Sequence, residues 1–154
     1  MGCGKSTFGR LLADTYHLSF HDLDEIIEIG EGKSIVEIFE SEGEEAFRNL
    51  ETQYLKQFET KDNYILSCGG GTPCFNNNIE YLNTISKTIF LDVPVKELVK
   101  RLFNDKNRPL LIGKSKEELE SFISFKLEER NPFYKQAQII LKEATKEAFE
   151  GYCK

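Results

Sequence analysis

The chain has 154 residues and a formal charge of −6, with 20 Lys and Arg against 26 Asp and Glu, and is 40% hydrophobic and 30% charged. That length suits one compact domain burying roughly 70% of the surface its unfolded chain exposes, and the balance is too apolar for a disordered tail and too charged for a membrane protein. No apolar run approaches the ~20 residues needed to cross a bilayer, no secretory leader is legible, and the excess of acids argues against a nucleic-acid surface. The expected address is therefore cytoplasmic, and any anionic ligand must be captured locally. Cys3, Cys68, Cys74 and Cys153 form no closely spaced pair of the kind structural zinc takes, which leaves reduced thiols as the reading.

In chain order, Gly4 to Tyr16 reads as a helix with Phe8, Leu11, Leu12 and Thr15 on one buried stripe. Leu18 to Asp22 reads as a short strand ending in acids, and Glu25 to Ile29 as a short helix. Ser34 and Glu37 form a capping box that opens a further helix, since hydroxyl and carboxylate satisfy orphan amides reciprocally. The acidic stretch from Glu37 to Glu45 reads as a solvated helix face. A longer helix runs from about Glu44 to Phe58, with Phe47, Leu50, Tyr54 and Phe58 on one face. Tyr64 to Cys68 is apolar and followed by Gly69-Gly70-Gly71, the pattern of a buried strand ending in a sharp turn.

The second half repeats the alternation. Thr88 to Val93 reads as a strand, Pro94 as a turn, and Val95 to Phe103 as a helix. Asn104 to Lys114 is polar, holds Pro109 and Gly113 and has no helical period, so it reads as a loop. Ser115 with Glu118 opens a helix continuing to about Arg130, before Pro132. Gln138 to Leu141 is a last short strand, followed by a terminal helix. Alternating buried strands and helices point to an open parallel α/β sheet, in which ligands gather at the carboxyl ends of the strands.

Gly4-Lys5-Ser6-Thr7 at the mouth of a helix matches the second half of the phosphate-loop pattern G-x-x-x-x-G-K-[ST]. Successive amides and the helix N-terminus cradle phosphates, Lys5 neutralises their oxygens, and Ser6 is suited to ligate Mg²⁺. The full pattern needs a glycine five positions before Gly4 and an apolar strand before that. Met1 is accordingly expected to be an internal residue of the natural loop, with roughly ten residues, one strand of typical length, upstream.

Asp22-Leu23-Asp24 follows a strand, and alternation along an extended backbone puts both carboxylates on one side. Two such acids beside a phosphate loop can divide the work: one holding Mg²⁺ through water, the other gripping or deprotonating an acceptor hydroxyl. On the segment alone, a solvated turn with Asp24 capping the next helix is an equal reading. Gly69-Gly70-Gly71 is either a tight turn or a place where amides approach a ligand closely. Asp92 is read as a turn residue before Pro94 rather than a metal ligand.

Taken together and in order, Gly4-Lys5-Ser6-Thr7, Phe20-His21-Asp22-Leu23-Asp24 with Ile27-Glu28, Phe47-Arg48 with Glu51, Gly69-Gly70-Gly71, Arg108-Pro109-Leu110-Leu111 and Arg130-Asn131-Pro132-Phe133-Tyr134 resemble shikimate kinase from Gly4 to about Leu141. The resemblance implies a three-layer α/β P-loop NTPase fold of the nucleoside-monophosphate-kinase type, with a parallel sheet of order 2-3-1-4-5 whose first strand this chain lacks. It implies one kinase domain over residues 1–154, with a substrate-binding helical region at about 25–60 and a lid at about 104–114. The implied reaction is ATP-dependent phosphorylation of the shikimate 3-hydroxyl, on the route to chorismate and the aromatic amino acids. Residue by residue, Lys5, Asp24 and Arg108 would be catalytic. Gly2, Cys3, Gly4, Lys5, Ser6, Thr7, Arg101 and Arg108 would hold ATP. Asp24, Arg48, Gly69, Gly70, Gly71 and Arg130 would hold shikimate, and Ser6 with Asp22, through water, would hold Mg²⁺. A monomer is implied.

The chemistry of the residues agrees, because a guanidinium fork suits the carboxylate of shikimate. Singly, Arg48 and Arg130 read as surface partners of Glu44 and Glu129; the family register reverses that weighting. The alternatives are another small-molecule kinase of this fold, for gluconate or dephospho-coenzyme A, and a catalytically weak ligand-binding remnant with an incomplete phosphate loop.

Overall fold

The computed structural model describes residues 2–103 and 115–152. The segment read as the lid, with Arg108, lies outside the described residues, as does Cys153. In chain order the elements are α1 (Lys5–Tyr16), β1 (Ser19–Asp22), α2 (Leu23–Glu31), α3 (Ile35–Lys56), β2 (Tyr64–Ser67), a 3₁₀ turn (Thr72–Cys74), α4 (Asn78–Ile85), β3 (Ile89–Leu91), α5 (Val95–Leu102), α6 (Lys116–Tyr134), β4 (Ile139–Leu141) and α7 (Lys146–Glu150).

The strands make two parallel pairs. β1 runs with β2, Ser19 opposite Tyr64 and Asp22 opposite Ser67; β3 runs with β4, Ile89 opposite Ile139. Neither β2 nor β3 has a second strand partner among the described residues. Taken as the second to fifth strands of the order 2-3-1-4-5, the four reproduce the two neighbour pairs of that order that do not involve its first strand. The fold is the expected α/β P-loop arrangement.

Two apolar clusters hold it together. One joins Phe8 and Leu12 of α1 to Leu98, Val99 and Leu102 of α5, Leu119 and Ile123 of α6, and the strand residues Leu91, Ile139 and Leu141. The other packs Leu23 and Ile27 of α2 against Ile38, Phe47, Tyr54 and Leu55 of α3 and Leu82 of α4. Leu23 and Ile27, four apart and so on one helical face, are both fully buried.

Several local expectations are corrected. The buried face of α1 is Phe8, Gly9, Leu12 and Ala13, and Leu11 is 45% exposed. The helix turns its small residues inward because a Cβ on Gly9 would already stand 2.8 Å from the Phe20 ring, so the missing side chain lets α1 sit down on β1 and β2. The two helices expected between Ser34 and Phe58 do form, joined into α3 across a break at Gly43, whose φ of 86° and ψ of 174° is unavailable at low cost to other residues, but the second ends at Lys56 rather than Phe58. α6 does not stop at Arg130 but continues through Pro132 to Tyr134. Proline there forfeits one hydrogen bond in the last turn, while the Tyr134 hydroxyl anchors that turn on the Gly70 carbonyl at 2.5 Å. The 3₁₀ turn and α4 lie in a stretch to which the sequence reading assigned no element. Both capping boxes form as read, Ser34 with Glu37 and Ser115 with Glu118.

Candidate active site

α1 begins where Gly4 takes a left-handed conformation, φ 85° and ψ 19°, and the Lys5-Ser6-Thr7 amides follow at the helix mouth. These unpaired N–H groups and the positive end of the helix suit a phosphate. Close seating of α1 brings the Ser6 hydroxyl to Asp22 Oδ2 at 3.1 Å and to the Ser67 hydroxyl at 3.2 Å. Serine and aspartate oxygens so placed fit a hard divalent cation such as Mg²⁺. On the other side, Arg101 Nη1 donates to the carbonyls of Gly2 and Cys3 at 3.4 and 3.3 Å, while its Nε holds Glu97 at 3.0 Å. Arg101 therefore meets the phosphate loop through its backbone.

The acidic pair is built differently from the alternating strand expected. β1 ends at Asp22, which has extended dihedrals and accepts a hydrogen bond from the Asp24 amide at 3.1 Å, so Asp22 caps α2 and Asp24 stands in its first turn. The capping reading was right in kind but falls on Asp22. Burial, and next the charge of Asp22, push the Asp24 carboxyl above its ordinary value, while Lys5 pulls it the other way. A carboxyl so poised, beside the cation of Lys5, suits an acceptor hydroxyl.

Each glycine of the triplet after β2 abuts a different polar group. A Cβ on Gly69 would stand 3.1 Å from Asp24 Oδ1 and 3.3 Å from Glu51 Oε1. One on Gly70 would stand 2.9 Å from Arg130 Nη1 and 3.2 Å from the Tyr134 hydroxyl, and one on Gly71 would meet the Arg48 guanidinium at 2.6–2.7 Å. The triplet is thus a backbone surface against which Asp24, Arg130 and Arg48 converge. Side chains there would occupy the space those groups fill.

Arg48 is tightly held. Its Nη1 donates to Glu51 at 2.6 Å, its Nε and Nη2 to Glu44 at 3.2 and 3.0 Å, and the Phe75 ring lies 4.5 Å from Cζ. Burial works against the charge, yet the two carboxylates together hold its pKa above the ordinary arginine value. Glu51 is 1% exposed and also accepts from the Thr72 hydroxyl at 2.5 Å, so its buried charge is fully partnered. Arg48 does pair with Glu44, as its isolated reading had it; Glu129 pairs with Lys126 at 2.9 Å instead. Asp92 pairs with Lys142.

Glu51, Thr72, Phe75 and Tyr134 received no separate role from the sequence. Glu51 was within reach, since three residues along a helix places it on the face of Arg48; the others depend on the path of the chain after β2. Cys68, close to the acids, has its thiol pushed up to about 12, first by burial and then by the charges of Glu51 and Asp24, so it stays neutral.

If the triplet works as a surface for Arg48, Gly71→Ala should raise the KM of a carboxylate acceptor by about 10-fold or more, the scale of one hydrogen bond to a charged group. Steady-state kinetics with the acceptor varied checks this, and an unchanged KM would remove Gly71 from the site.

A shikimate kinase family model matches residues 1–152. A shikimate kinase of Parabacteroides distasonis is 47% identical over 90% of this chain and 81% of that protein, and one of Bacteroides fragilis is 45% identical over 91% and 79%. Among solved structures, shikimate kinase from Bacteroides thetaiotaomicron superposes with a TM-score of 0.89 at 41% identity, covering 98% of this chain and 88% of that one. Shikimate kinase from Acinetobacter baumannii in complex with shikimate superposes with a TM-score of 0.84 at 34% identity, covering 99% and 86%.

Proposed function

The chain belongs to the shikimate kinase family, and on that premise we propose that it transfers the γ-phosphoryl group of ATP to the 3-hydroxyl of shikimate, forming shikimate 3-phosphate and ADP. The observation that carries the reading is the convergence of Asp24, Arg130 and Arg48 on the glycine triplet beside the phosphate loop. Two arginines facing one backbone turn suit a carboxylate, and an acid with a raised pKa at the same turn suits a hydroxyl.

In this reading Gly2, Cys3, Gly4, Ser6 and Thr7 wrap the phosphates, and Lys5 lies along the transferring group. Ser6 and, through water, Asp22 hold Mg²⁺, which when bound neutralises phosphate charge. Arg48, Arg130 and the Gly69–Gly71 backbone hold shikimate, and Asp24 orients the attacking hydroxyl and takes its proton. Arg101 lies under the adenine, and Arg108 reaches the transferring phosphate from a lid at 104–114. Phosphoryl transfer passes through a loose transition state, so placement and charge neutralisation outweigh base strength. The protein works as one kinase domain and as a monomer in the cytoplasm, in chorismate and aromatic amino acid biosynthesis; the helical region at about 25–60 forms the acceptor side.

ADP release measured with shikimate, gluconate and dephospho-coenzyme A, alongside calorimetric binding of each, tests the proposal. Turnover and binding are expected with shikimate alone. Binding of either other acceptor in preference to shikimate would overturn it.

A further inference from the structure

Glu44 is a built-in carboxylate competing for Arg48, and we infer that it sets how tightly the acceptor is held. The inference rests on the reading of Arg48 as the guanidinium that receives the shikimate carboxylate.

The surroundings of Arg48 leave few approaches. One face lies against Gly71, where not even a Cβ fits, and the Phe75 ring stacks 4.5 Å from Cζ. Only the rim of the planar group remains for a bidentate partner. A guanidinium offers two forks, Nε with Nη2 and Nη1 with Nη2, and Nη2 belongs to both. Glu44 Oε1 accepts from Nε and Nη2 together, and Glu51 Oε2 accepts from Nη1. These bonds use three of the five N–H donors and fill the Nε–Nη2 fork completely, so an incoming carboxylate either displaces Glu44 from that fork or takes the end-on fork, where it lies beside the charges of both acids.

The two acids are not equally able to leave. The Glu51 side chain is 1% exposed and tied to Thr72 as well as to Arg48, so releasing it would strand a buried charge. The Glu44 side chain is 59% exposed and would be rehydrated at once. It also follows Gly43, whose φ of 86° breaks the helix and sets Glu44 in the first turn beyond the break. Because the Glu44 end of the pair already stands in water, its exchange for another carboxylate is easily reversed. Glu51 thus fixes Arg48 in place, and Glu44 fills the fork until the acceptor carboxylate replaces it. Acceptor affinity is the difference between two carboxylates competing for one guanidinium.

This fixes the sign of a substitution. Removing a side chain that merely positioned Arg48 would weaken acceptor binding, whereas removing a competitor strengthens it. Glu44→Gln is expected to lower the shikimate Kd and KM by about two- to fivefold, the upper part of the range of an exposed ion pair, with kcat unchanged. Glu45→Gln, one residue along and also exposed, is expected to leave both as they are. With the methyl ester of shikimate, whose carboxyl is uncharged, the advantage of Glu44→Gln should disappear.

Calorimetry and steady-state kinetics on wild type and both variants decide the matter. An unchanged or raised Kd in Glu44→Gln, a gain equal in Glu45→Gln, or a gain that persists with the methyl ester would overturn the inference while leaving shikimate as the acceptor. A wild-type chain that does not bind shikimate would overturn the underlying reading and the inference with it.

Discussion

Lys5→Ala should leave a folded protein whose phosphoryl transfer has fallen on the order of 10³-fold, the scale on which a cation at a transferring phosphoryl group acts. Lys5 is the first residue of α1, immediately after the left-handed Gly4. A lysine there is disfavoured by the helix itself, because its charge faces the positive end of the helix dipole. Alanine removes that repulsion and improves helix propensity, so the melting temperature should hold or rise slightly. Its charge also reaches Asp24, whose carboxyl it pulls down against burial and Asp22. A lysine that costs its helix something and sits between a phosphate cradle and the acceptor acid is placed for function. Single-turnover ADP release with melting curves checks the prediction; turnover within tenfold of wild type would remove Lys5 from the chemistry.

Asp24→Asn should move activity and stability in opposite directions. Without a carboxylate at the acceptor hydroxyl, kcat should fall on the order of 10²-fold, the lower range for general base catalysis. The stability argument follows from the raised pKa, caused first by burial and then by Asp22. Between the ordinary carboxyl value of 3.8 and the raised native value, the native state binds more protons than the unfolded chain. Wild-type stability therefore falls as pH rises through that window, and the whole loss is present above it. Asparagine carries no such penalty, so the variant should melt higher than wild type at neutral pH. The advantage should shrink as pH falls through the window and vanish below 3.8, where the wild-type carboxyl is protonated in both states. Melting curves across pH, with kcat at neutral pH, test both halves. A variant that melts lower at neutral pH, or keeps its kcat, would show that Asp24 is not held at a cost for catalysis.

These two sites explain how an acidic protein serves anionic ligands. Its net charge of −6 repels them at a distance, and capture relies on cations placed singly. Lys5 stands at a helix mouth, Arg48 is fixed on Gly71 by a buried glutamate, and Arg130 faces Gly70. Elsewhere several basic residues are paired on the surface, as Lys33 is with Glu42 and Lys126 with Glu129.

Features that depend on neighbours in the chain were legible from residue order. The phosphate loop and its helix, both capping boxes, the four strands and the start of a second helix near Glu44 rest on local backbone preferences and spacing, which act before the chain has a tertiary partner. The ordered motifs likewise carried the family. Features that depend on which surfaces meet were not legible. Periodicity placed Leu11 on the buried stripe, but the close approach of α1 to Phe20 and Ile65 turned Gly9 and Ala13 inward instead. Strand alternation was invoked for Asp22 and Asp24, but the chain had already become helical at Leu23, and Asp22 took the cap.

Sequence by itself determined which groups the protein owns: the cations, the acids, the glycines, and the helices and strands that carry them. Tertiary structure alone decided their partners. Arg48 and Glu51 come from α3, Asp24 from α2, Arg130 and Tyr134 from α6, and all converge on one glycine turn after β2. Burial there raises the Asp24 carboxyl, shields Glu51 and leaves Glu44 in water. Solvation and distance set the strength of a charge, and neither exists until the chain has closed around it.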